Sequence, residues 1–367
     1  MREALRTNRT VILFFVSLIQ MFIAVLLLNN LSMEGWSVIQ AEDSEGYLLA
    51  ARFFLGEDTP ADSLPLLKYR LFSPLVPFAA ALLARLMPLK YTFLLLNCLL
   101  WLVSVHLFYR FSKRLLTERL AYYCALLFAS SLPLTIWGLP IMVDMAAFFF
   151  TILTCLLVTQ PDAKKKSTYP VLALTLSLAI LTKPSLVSLL IFFVLYAGIQ
   201  KQYGRVLSVL SVSVIVVGGT YLFLGLGIED FLTYGYLRHR GVFYVVNALV
   251  FCFHWGLPLA LWGFLREKQY RLFYLTYLVS TFGCYLSFVH NPRLLFVIFP
   301  AVLPLVISGM EACAHKIAYL RKDKPGRGLV PLVYSYMLTS TMLAALYLYI
   351  TRVLQYRSIE GVKHLLG

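Results

Sequence analysis

The chain has 367 residues, of which 60% are hydrophobic and only 13% are charged. An ordinary soluble domain carries about twice that charged fraction, so the composition excludes a soluble globular protein. Apolar runs near the roughly 20-residue length that crosses a bilayer recur from one end of the chain to the other. The sequence therefore predicts an all-α polytopic membrane protein in which residues 1–367 form a single integral membrane domain.

The formal net charge of +15 raises the question of a nucleic-acid partner. The basic residues stand in short clusters between apolar runs, which is the usual pattern of cytoplasmic loops. This distribution argues against nucleic acid and predicts membrane lipids as the surroundings of the chain. The six cysteines have no CxxC or CxxH spacing, so neither a disulfide framework nor a zinc site is indicated.

The positions of the basic clusters predict the orientation of the chain. They occur at 2–9, 110–119, 164–166, 201–205, 266–271 and 315–327. If all are cytoplasmic, an even number of crossings must separate each cluster from the next. Three apolar stretches lie between the first two clusters, and the middle one, 71–89, carries three prolines and Arg85. We therefore predict that 71–89 is a juxtamembrane or re-entrant segment on the external side rather than a span. It would belong to an external loop, 32–90, with amphipathic juxtamembrane helices.

Eleven spans follow from this rule, with the N-terminus on the cytoplasmic side of a cell membrane. They are 11–31, 91–109, 120–137, 139–159, 168–182, 184–200, 206–227, 244–265, 272–289, 294–311 and 329–350. This topology places Asp144, Lys183 and the segments 228–243 and 290–293 on the external face. Most of the isolated charge of the chain is thereby predicted to converge on one side of the membrane.

Three carboxylates follow the first predicted span, at Glu42, Asp43 and Glu45. If the segment is helical, Asp43, Tyr47 and Ala51 share one face, because residues four apart are neighbours on a helix. We predict that Asp43 is a general base or a metal ligand and that Glu42 shares its role. A divalent cation such as Mg²⁺ or Mn²⁺ is a possible cofactor, with Asp43 and Glu45 as its ligands.

Asp144 is a lone acid at the head of a strongly apolar helix. Two interpretations stay open for it. The helix macrodipole alone favours a carboxylate at this end of a helix. Alternatively, Asp144 is a second acid that faces the first across a cavity.

Cations on the predicted external side run against the usual orientation bias, so they indicate an anionic partner. They are Lys68, Arg70, Lys183, Arg238, Arg240 and Arg293, with His290 beside the last of them. A phosphate at the membrane surface would supply that partner, because arginine binds phosphate through two parallel hydrogen bonds. Contact with lipid headgroups is the alternative.

Three local motifs together resemble the GT-C membrane glycosyltransferases, notably the protein O-mannosyltransferases and the lipid A aminoarabinose transferases. They are Asp43-x-x-x-Tyr47-x-x-x-Ala51-Arg52, the basic pair Lys68 and Arg70 before Pro74, and Ser130-Ser131-Leu132-Pro133 leading to Asp144. Two details depart from the family pattern. The acidic pair has the order Glu42-Asp43, followed by Ser44, where the family often has Asp-Glu. Leu71-Phe72-Ser73-Pro74 replaces a double proline.

This resemblance implies a GT-C-like fold and an enzyme that transfers a hexosyl or pentosyl group, with inversion, on the non-cytoplasmic face. The donor would be a polyprenyl-phosphate sugar, and the acceptor a lipid, a glycan or a protein. Asp43 would be the catalytic acid/base and Asp144 a second acid. The expected substrate-binding residues are Tyr47, Arg52, Lys68, Arg70, Lys183, Arg238, Arg240, His290 and Arg293.

Other classes of protein also fit a polytopic chain with external charge. A flippase or transporter of a lipid-linked sugar would show an inverted repeat and ionisable residues near mid-bilayer, and neither is visible in the sequence. A polysaccharide ligase or polymerase would share the donor class. A non-catalytic assembly subunit would tolerate loss of Asp43.

Overall fold

The computed structural model describes residues 2–30, 44–160, 166–227, 229–230, 253–288, 297–321 and 328–349. Within these ranges the regular elements are all helical, which confirms the all-α prediction. The α-helices are α1 (Arg2–Asn30), α2 (Ser44–Phe54), α3 (Leu64–Leu71), α4 (Leu75–Leu83), α5 (Leu89–Leu115), α6 (Glu118–Ala129), α7 (Leu132–Gly138), α8 (Asp144–Val158), α9 (Tyr169–Thr182), α10 (Val187–Ile199), α11 (Tyr203–Phe223), α12 (Gly256–Arg266), α13 (Arg271–Phe288), α14 (Phe299–Arg321) and α15 (Leu329–Tyr349).

Five helices in the described ranges are long and apolar enough to cross a membrane, or six if a bent pair forms one span. The five are Asn8–Leu27, Leu89–Leu115, Tyr203–Phe223, Phe299–Leu320 and Leu329–Leu346. Helices α8 and α9 and the segment Pro184–Ile199 are apolar but shorter. At about 1.5 Å per residue they fall short of a bilayer core of about 30 Å. The predicted count of eleven spans is therefore not confirmed.

The segment around Pro74 forms an elbow between the short helices α3 and α4, where the chain bends by 110° between Ala61–Leu71 and Leu75–Leu83. Proline has no N–H to donate and disfavours a helical conformation in the residue before it, so a helix ends readily there. Phe72 and Ser73, at the bend, are both buried. A break here agrees with our prediction that 71–89 is not a continuous span, and its external position stays a prediction.

The predicted span 120–137 is not one helix, because α6 ends at Ala129 and α7 begins at Leu132. Ser130 donates a side-chain hydrogen bond back to the carbonyl of Leu126 at 2.8 Å, which competes with helix continuation. Pro133 then lies in the first turn of α7, where a missing N–H costs nothing.

The predicted span 139–159 begins later than expected, because 139–143 is not helical and α8 starts at Asp144. In contrast, the predicted break at Lys183-Pro184 is present, between α9 and the short 3₁₀ turn that precedes α10.

The core is built on aromatic contacts between α5 and α6. The rings of Trp101 and Phe128 stack at 5.1 Å between centroids, and Phe108 lies 4.5 Å from Phe128. All three side chains are fully buried. In contrast, α1 and α11 expose large apolar side chains such as Phe22 and Leu222, which is the expected lipid-facing surface of a membrane protein. Helix α5 also packs against α8, at the candidate site.

Candidate functional site

The non-helical segment before Asp144 is held in place by two side chains from other elements. Asn97, on α5, donates to the carbonyl oxygens of Pro140 at 2.8 Å and Leu139 at 3.3 Å. Ser44, the first residue of α2, donates to the carbonyl of Ile141 at 3.1 Å. Both side chains are fully buried. The start of α2 and the start of α8 are thereby held together.

Replacing Asn97 by leucine, which has a similar shape, should displace the start of α8. The carbonyl oxygens of residues 139 and 140 would lose their buried donor, at a cost of about 1–3 kcal/mol. We expect a lower thermal unfolding temperature in detergent and reduced activity in the sugar-transfer assay that the GT-C resemblance implies. Ser44→Ala removes the second anchor of the same segment and should have a smaller effect of the same sign. Unchanged stability and activity in Asn97→Leu would contradict this role.

Asp144 forms an ion pair with Lys183 inside the protein. Its Oδ1 accepts a hydrogen bond from the Lys183 ammonium, and the two side chains are 4% and 18% exposed. Asp144 begins α8 and Lys183 follows the last residue of α9, so each charge also interacts favourably with the dipole of its helix. The Oδ2 atom of Asp144 is buried and has no hydrogen-bond partner among the described residues. A favourable interaction with the helix macrodipole is therefore not the only role that the structure indicates for the Asp144 carboxylate.

Arg70 is a residue of α3 whose side chain packs against α2, and it is only 9% exposed. Its guanidinium carbon is 4.6 Å from the ring centroids of both Tyr47 and Tyr69, a cation–π distance. A Cβ atom at Gly46 would lie 2.8 Å from Nε of Arg70, so only glycine allows this approach. Tyr47 and Ala51 are buried on the same face of α2, as their spacing predicts. Arg70 is thus fixed close to the start of α2.

The end of α11 is fastened to the α3–α4 elbow. Lys68 pairs with Asp230 at 3.1 Å, and the backbone N–H of Gly227 donates to the other oxygen of Asp230 at 3.0 Å. The hydroxyl of Tyr221 donates to the carbonyl of Phe72 at 3.0 Å. The Gly227 N–H, followed by the Lys68 ammonium, lowers the pKa of the Asp230 carboxyl. In this structure Lys68, a predicted phosphate ligand, is engaged by a carboxylate.

The contacts of the Asp230 carboxylate with Lys68 and with the Gly227 N–H, here called the latch, should depend on pH in a defined direction. Because folding lowers the pKa of Asp230, the latch is fully present above the ordinary value of 3.8 and is lost as pH falls through the folded-state pKa. Hydrogen exchange at the Gly227 amide, corrected for intrinsic rates, should show protection that decreases only below about pH 4. In Asp230→Asn we expect weaker protection that does not change with pH. A wild-type protein whose protection is constant down to pH 2 would contradict the latch.

Arg52 and Glu45 lie on the outside of α2. Arg52 is 3.8 Å from Glu57, and each side chain is 54% exposed, so this pair contributes little to stability. Glu45 is exposed in the first turn of α2. The roles predicted for Arg52 in substrate binding and for Glu45 in metal binding stay predictions.

Several predicted site residues lie outside the described residues. They are Glu42, Asp43, Arg238, Arg240, His290 and Arg293. Asp43 directly precedes Ser44 in the sequence, and Ser44 is the first described residue of α2. Within the ranges that the structure describes, no three His, Cys, Asp or Glu side chains form a group that could hold a metal ion.

Three residues that organise this site are not among those predicted from the sequence. They are Asn97, Ser44 and Asp230. A signal existed for Asn97, because an amide in the middle of an apolar span is costly unless it is hydrogen-bonded. Nothing in the sequence paired Lys68 with Asp230, since 162 positions separate the two residues.

The family model described as dolichyl-phosphate-mannose-protein mannosyltransferase matches residues 72–226, a range that includes Asp144 and Lys183. Among curated protein sequences, none matches the chain. The fold is similar to that of ArnT from Cupriavidus metallidurans, crystallised with undecaprenyl phosphate. The TM-score is 0.65 at 12% identity, and the match covers 94% of this chain and 76% of ArnT.

Two structures from Archaeoglobus fulgidus are also similar. AglB, an oligosaccharyltransferase in complex with an inhibitory peptide and a dolichol-phosphate, matches with a TM-score of 0.57 and 11% identity, over 90% of this chain and 56% of AglB. The oligosaccharyltransferase complex with Zn and sulfate matches with a TM-score of 0.54 and 13% identity, over 90% of this chain and 53% of that one. This chain therefore spans about half the length of the matched chain in each of these two structures. The fold is similar to that of these three structures, which confirms the GT-C-like fold that the resemblance implies.

Proposed function

We propose that this protein is a glycosyltransferase that moves a hexosyl or pentosyl group from a polyprenyl-phosphate donor to an acceptor at the external membrane face. One observation carries the proposal. Ser44, which follows Asp43 in the sequence, donates a hydrogen bond to the carbonyl of Ile141, three residues before Asp144. Asp144 in turn forms an ion pair with Lys183. A buried acid–cation pair at the start of α8, held to the start of α2, supports a catalytic site at this end of the helices. The structures of ArnT with undecaprenyl phosphate and of AglB with dolichol-phosphate support the donor class.

The chemistry requires a base and cations. The acceptor oxygen forms a bond to the anomeric carbon while the bond from that carbon to the phosphate oxygen breaks. The bonding electrons remain on the phosphate, which is a good leaving group and needs no general acid. Asp43 would take the proton of the acceptor hydroxyl, and a single displacement would invert the anomeric centre.

Cations near the leaving phosphate would stabilise its developing charge. Lys183 would do so from the ion pair with Asp144, which makes Asp144 a positioning residue for the ammonium. Arg70 lies beside α2, and Lys68 lies on the same elbow helix as Arg70. The remaining candidates, Arg238, Arg240, His290 and Arg293, would complete the phosphate site together with Tyr47 and Arg52.

A divalent cation would fit the acidic cluster if Asp43 and Glu45 both face the donor. Carboxylate oxygens prefer Mg²⁺ or Mn²⁺. Glu45 is exposed on the first turn of α2, so its carboxylate can be reached from solution. Such a cation would supply positive charge for the phosphate. Activity measured after chelation, and again with each cation restored, tests this cofactor.

The test of the proposed function uses purified protein in lipid with a panel of labelled polyprenyl-phosphate sugars. We expect wild type to release polyprenyl phosphate from one donor and Asp43→Asn to release none above background. Asp58→Asn is the matched control, because it removes an exposed carboxylate from the same predicted loop and should retain activity. Release at the wild-type rate by Asp43→Asn would exclude Asp43 as the base.

A flippase or transporter of a lipid-linked sugar is the alternative. It would bind the donor equally well in wild type and in Asp43→Asn and would turn over none of the panel. A polysaccharide ligase or polymerase would differ from the first proposal only in its acceptor, so the same assay supplied with lipid, glycan and peptide acceptors separates them.

A further inference from the structure

A cavity of about 670 Å³ opens where α9 and α11 begin, and Tyr169, Lys201 and Arg205 are among the residues that line it. Helix α9 runs from this cavity to Lys183 at its other end. Its 14 residues correspond to roughly 20 Å at about 1.5 Å per residue. The cavity and the Asp144–Lys183 pair therefore lie at opposite ends of one helix, and the cavity belongs to the predicted cytoplasmic side.

Arg205 is the residue of this cavity that indicates a bound ligand. It is only 4% exposed, and one terminal nitrogen donates to Oε1 of Gln202 at 3.0 Å. Its Nε and Nη2 atoms are buried and have no hydrogen-bond partner in the part of the chain that the structure describes. The guanidinium carbon is 5.2 Å from the ring of Phe193 and 5.7 Å from that of Tyr169. A buried guanidinium with two unused donors is costly unless an anion pairs with it.

Two further features add positive potential beside Arg205. The 21-residue helix α11 begins at the cavity, and its first N–H groups carry the positive end of the helix dipole. Lys201 is exposed at the cavity and has a φ of 60°, a left-handed conformation that is unusual for a residue with a side chain. A Cβ atom at Gly204 would meet nothing within 4 Å, so the space in front of the helix start is open.

We propose that this cavity binds a phosphate group at the membrane face opposite the candidate active site. Arg205 would donate its Nε and Nη2 hydrogens to two phosphate oxygens, a bidentate geometry that matches guanidinium and phosphate. The α11 N-terminus and the Lys201 ammonium would bind the remaining charge. The phosphate is carried by an anionic lipid headgroup or is free in solution, and the experiment separates these sources. This site is independent of the proposed transfer reaction.

The test is equilibrium binding of fluorescent phosphatidic acid to the purified full-length chain in neutral detergent. We expect Arg205→Gln to weaken binding by about tenfold or more, because it removes a bidentate charged contact. Lys201→Gly should weaken it by about threefold, as a more exposed cation is lost. Glycine accepts a φ of 60°, so Lys201→Gly keeps the fold if Arg205→Gln does not fold. Lys268→Gln, which removes an exposed cation from another predicted cytoplasmic loop, is the control and should bind like wild type.

Inorganic phosphate added as a competitor identifies the source of the group. Displacement of the labelled lipid at millimolar phosphate, with loss of binding in the Arg205 and Lys201 variants, would support a site for free phosphate. Loss of binding in the same variants without displacement would support a lipid headgroup. Equal binding in wild type, Arg205→Gln and Lys201→Gly would overturn the site, and so would an equal loss in Lys268→Gln.

Discussion

Asp144→Asn is expected to lower the rate of sugar transfer by about 100-fold or more, because the carboxylate fixes the ammonium that would stabilise the leaving phosphate. The same substitution leaves Lys183 largely buried without its opposite charge. Breaking a buried ion pair from one side costs about 3–5 kcal/mol, so the free energy of unfolding should also fall. Since Lys183 retains 18% of its side-chain exposure, we expect a loss near the lower end, about 3 kcal/mol.

A double-mutant cycle separates the role of this pair in catalysis from its role in folding. Lys183→Met alone should destabilise the protein as Asp144→Asn does, because the carboxylate is then buried without its partner. The double variant Asp144→Asn/Lys183→Met removes both charges and should recover most of the stability. It should not recover transfer, because the phosphate would still lack its cation. Transfer at a near-wild-type rate in the double variant would show that the pair is only structural.

A second ion pair provides the matched control for this cycle. Arg9 and Glu118 lie 3.7 Å apart on the predicted cytoplasmic side, and about a third of each side chain is exposed. Surface pairs of this kind contribute about 0–1 kcal/mol. Glu118→Gln should therefore leave both transfer and the unfolding temperature close to the wild-type values, so a large effect of Asp144→Asn cannot reflect the loss of charge alone.

Local chemistry explains what the sequence could predict of this fold. The break at Lys183-Pro184 and the elbow at Pro74 depend on proline, whose effect on the backbone acts within a few residues. The length and composition of the apolar runs predict helices in a membrane. In contrast, hydropathy is nearly continuous across Ser130 and Ser131, so the sequence predicts one uninterrupted span at 120–137 where the structure has two short helices.

Long-range contacts explain why much of the site could not be predicted. Ser44 reaches a carbonyl 97 positions away, and Lys68 reaches a carboxylate 162 positions away. Neither pairing leaves a periodic signal in one sequence. Arg205 shows the same limit, because the sequence placed it in an ordinary cytoplasmic cluster while the fold buries its guanidinium beside a cavity.

Gly263→Ala should strongly destabilise the packing of α12 against α14. A Cβ atom at Gly263 would lie 2.1 Å from the carbonyl oxygen of Leu305, and one at Gly309 would lie 2.0 Å from that of Leu259. Both obstacles are backbone atoms, so no side-chain rotation relieves the clash and the two helices must separate. We expect the free energy of unfolding to fall by about 3 kcal/mol, the upper part of the range for overpacking. Thermal unfolding in detergent measures the loss.

Gly218→Ala makes the same chemical change on α11, where a Cβ atom would meet nothing within 4 Å. Alanine has the higher helix propensity, so this control should be neutral or stabilising by up to about 1 kcal/mol. Comparing the two variants tests whether α12 and α14 pack with their backbones in contact. Small residues allow such packing between membrane helices, where the hydrophobic effect is weak. Similar unfolding temperatures for Gly263→Ala and Gly218→Ala would show that α12 and α14 are farther apart than described. The double variant Gly263→Ala/Gly309→Ala should lose less unfolding free energy than the two single variants lose together, because separating the helices once relieves both clashes.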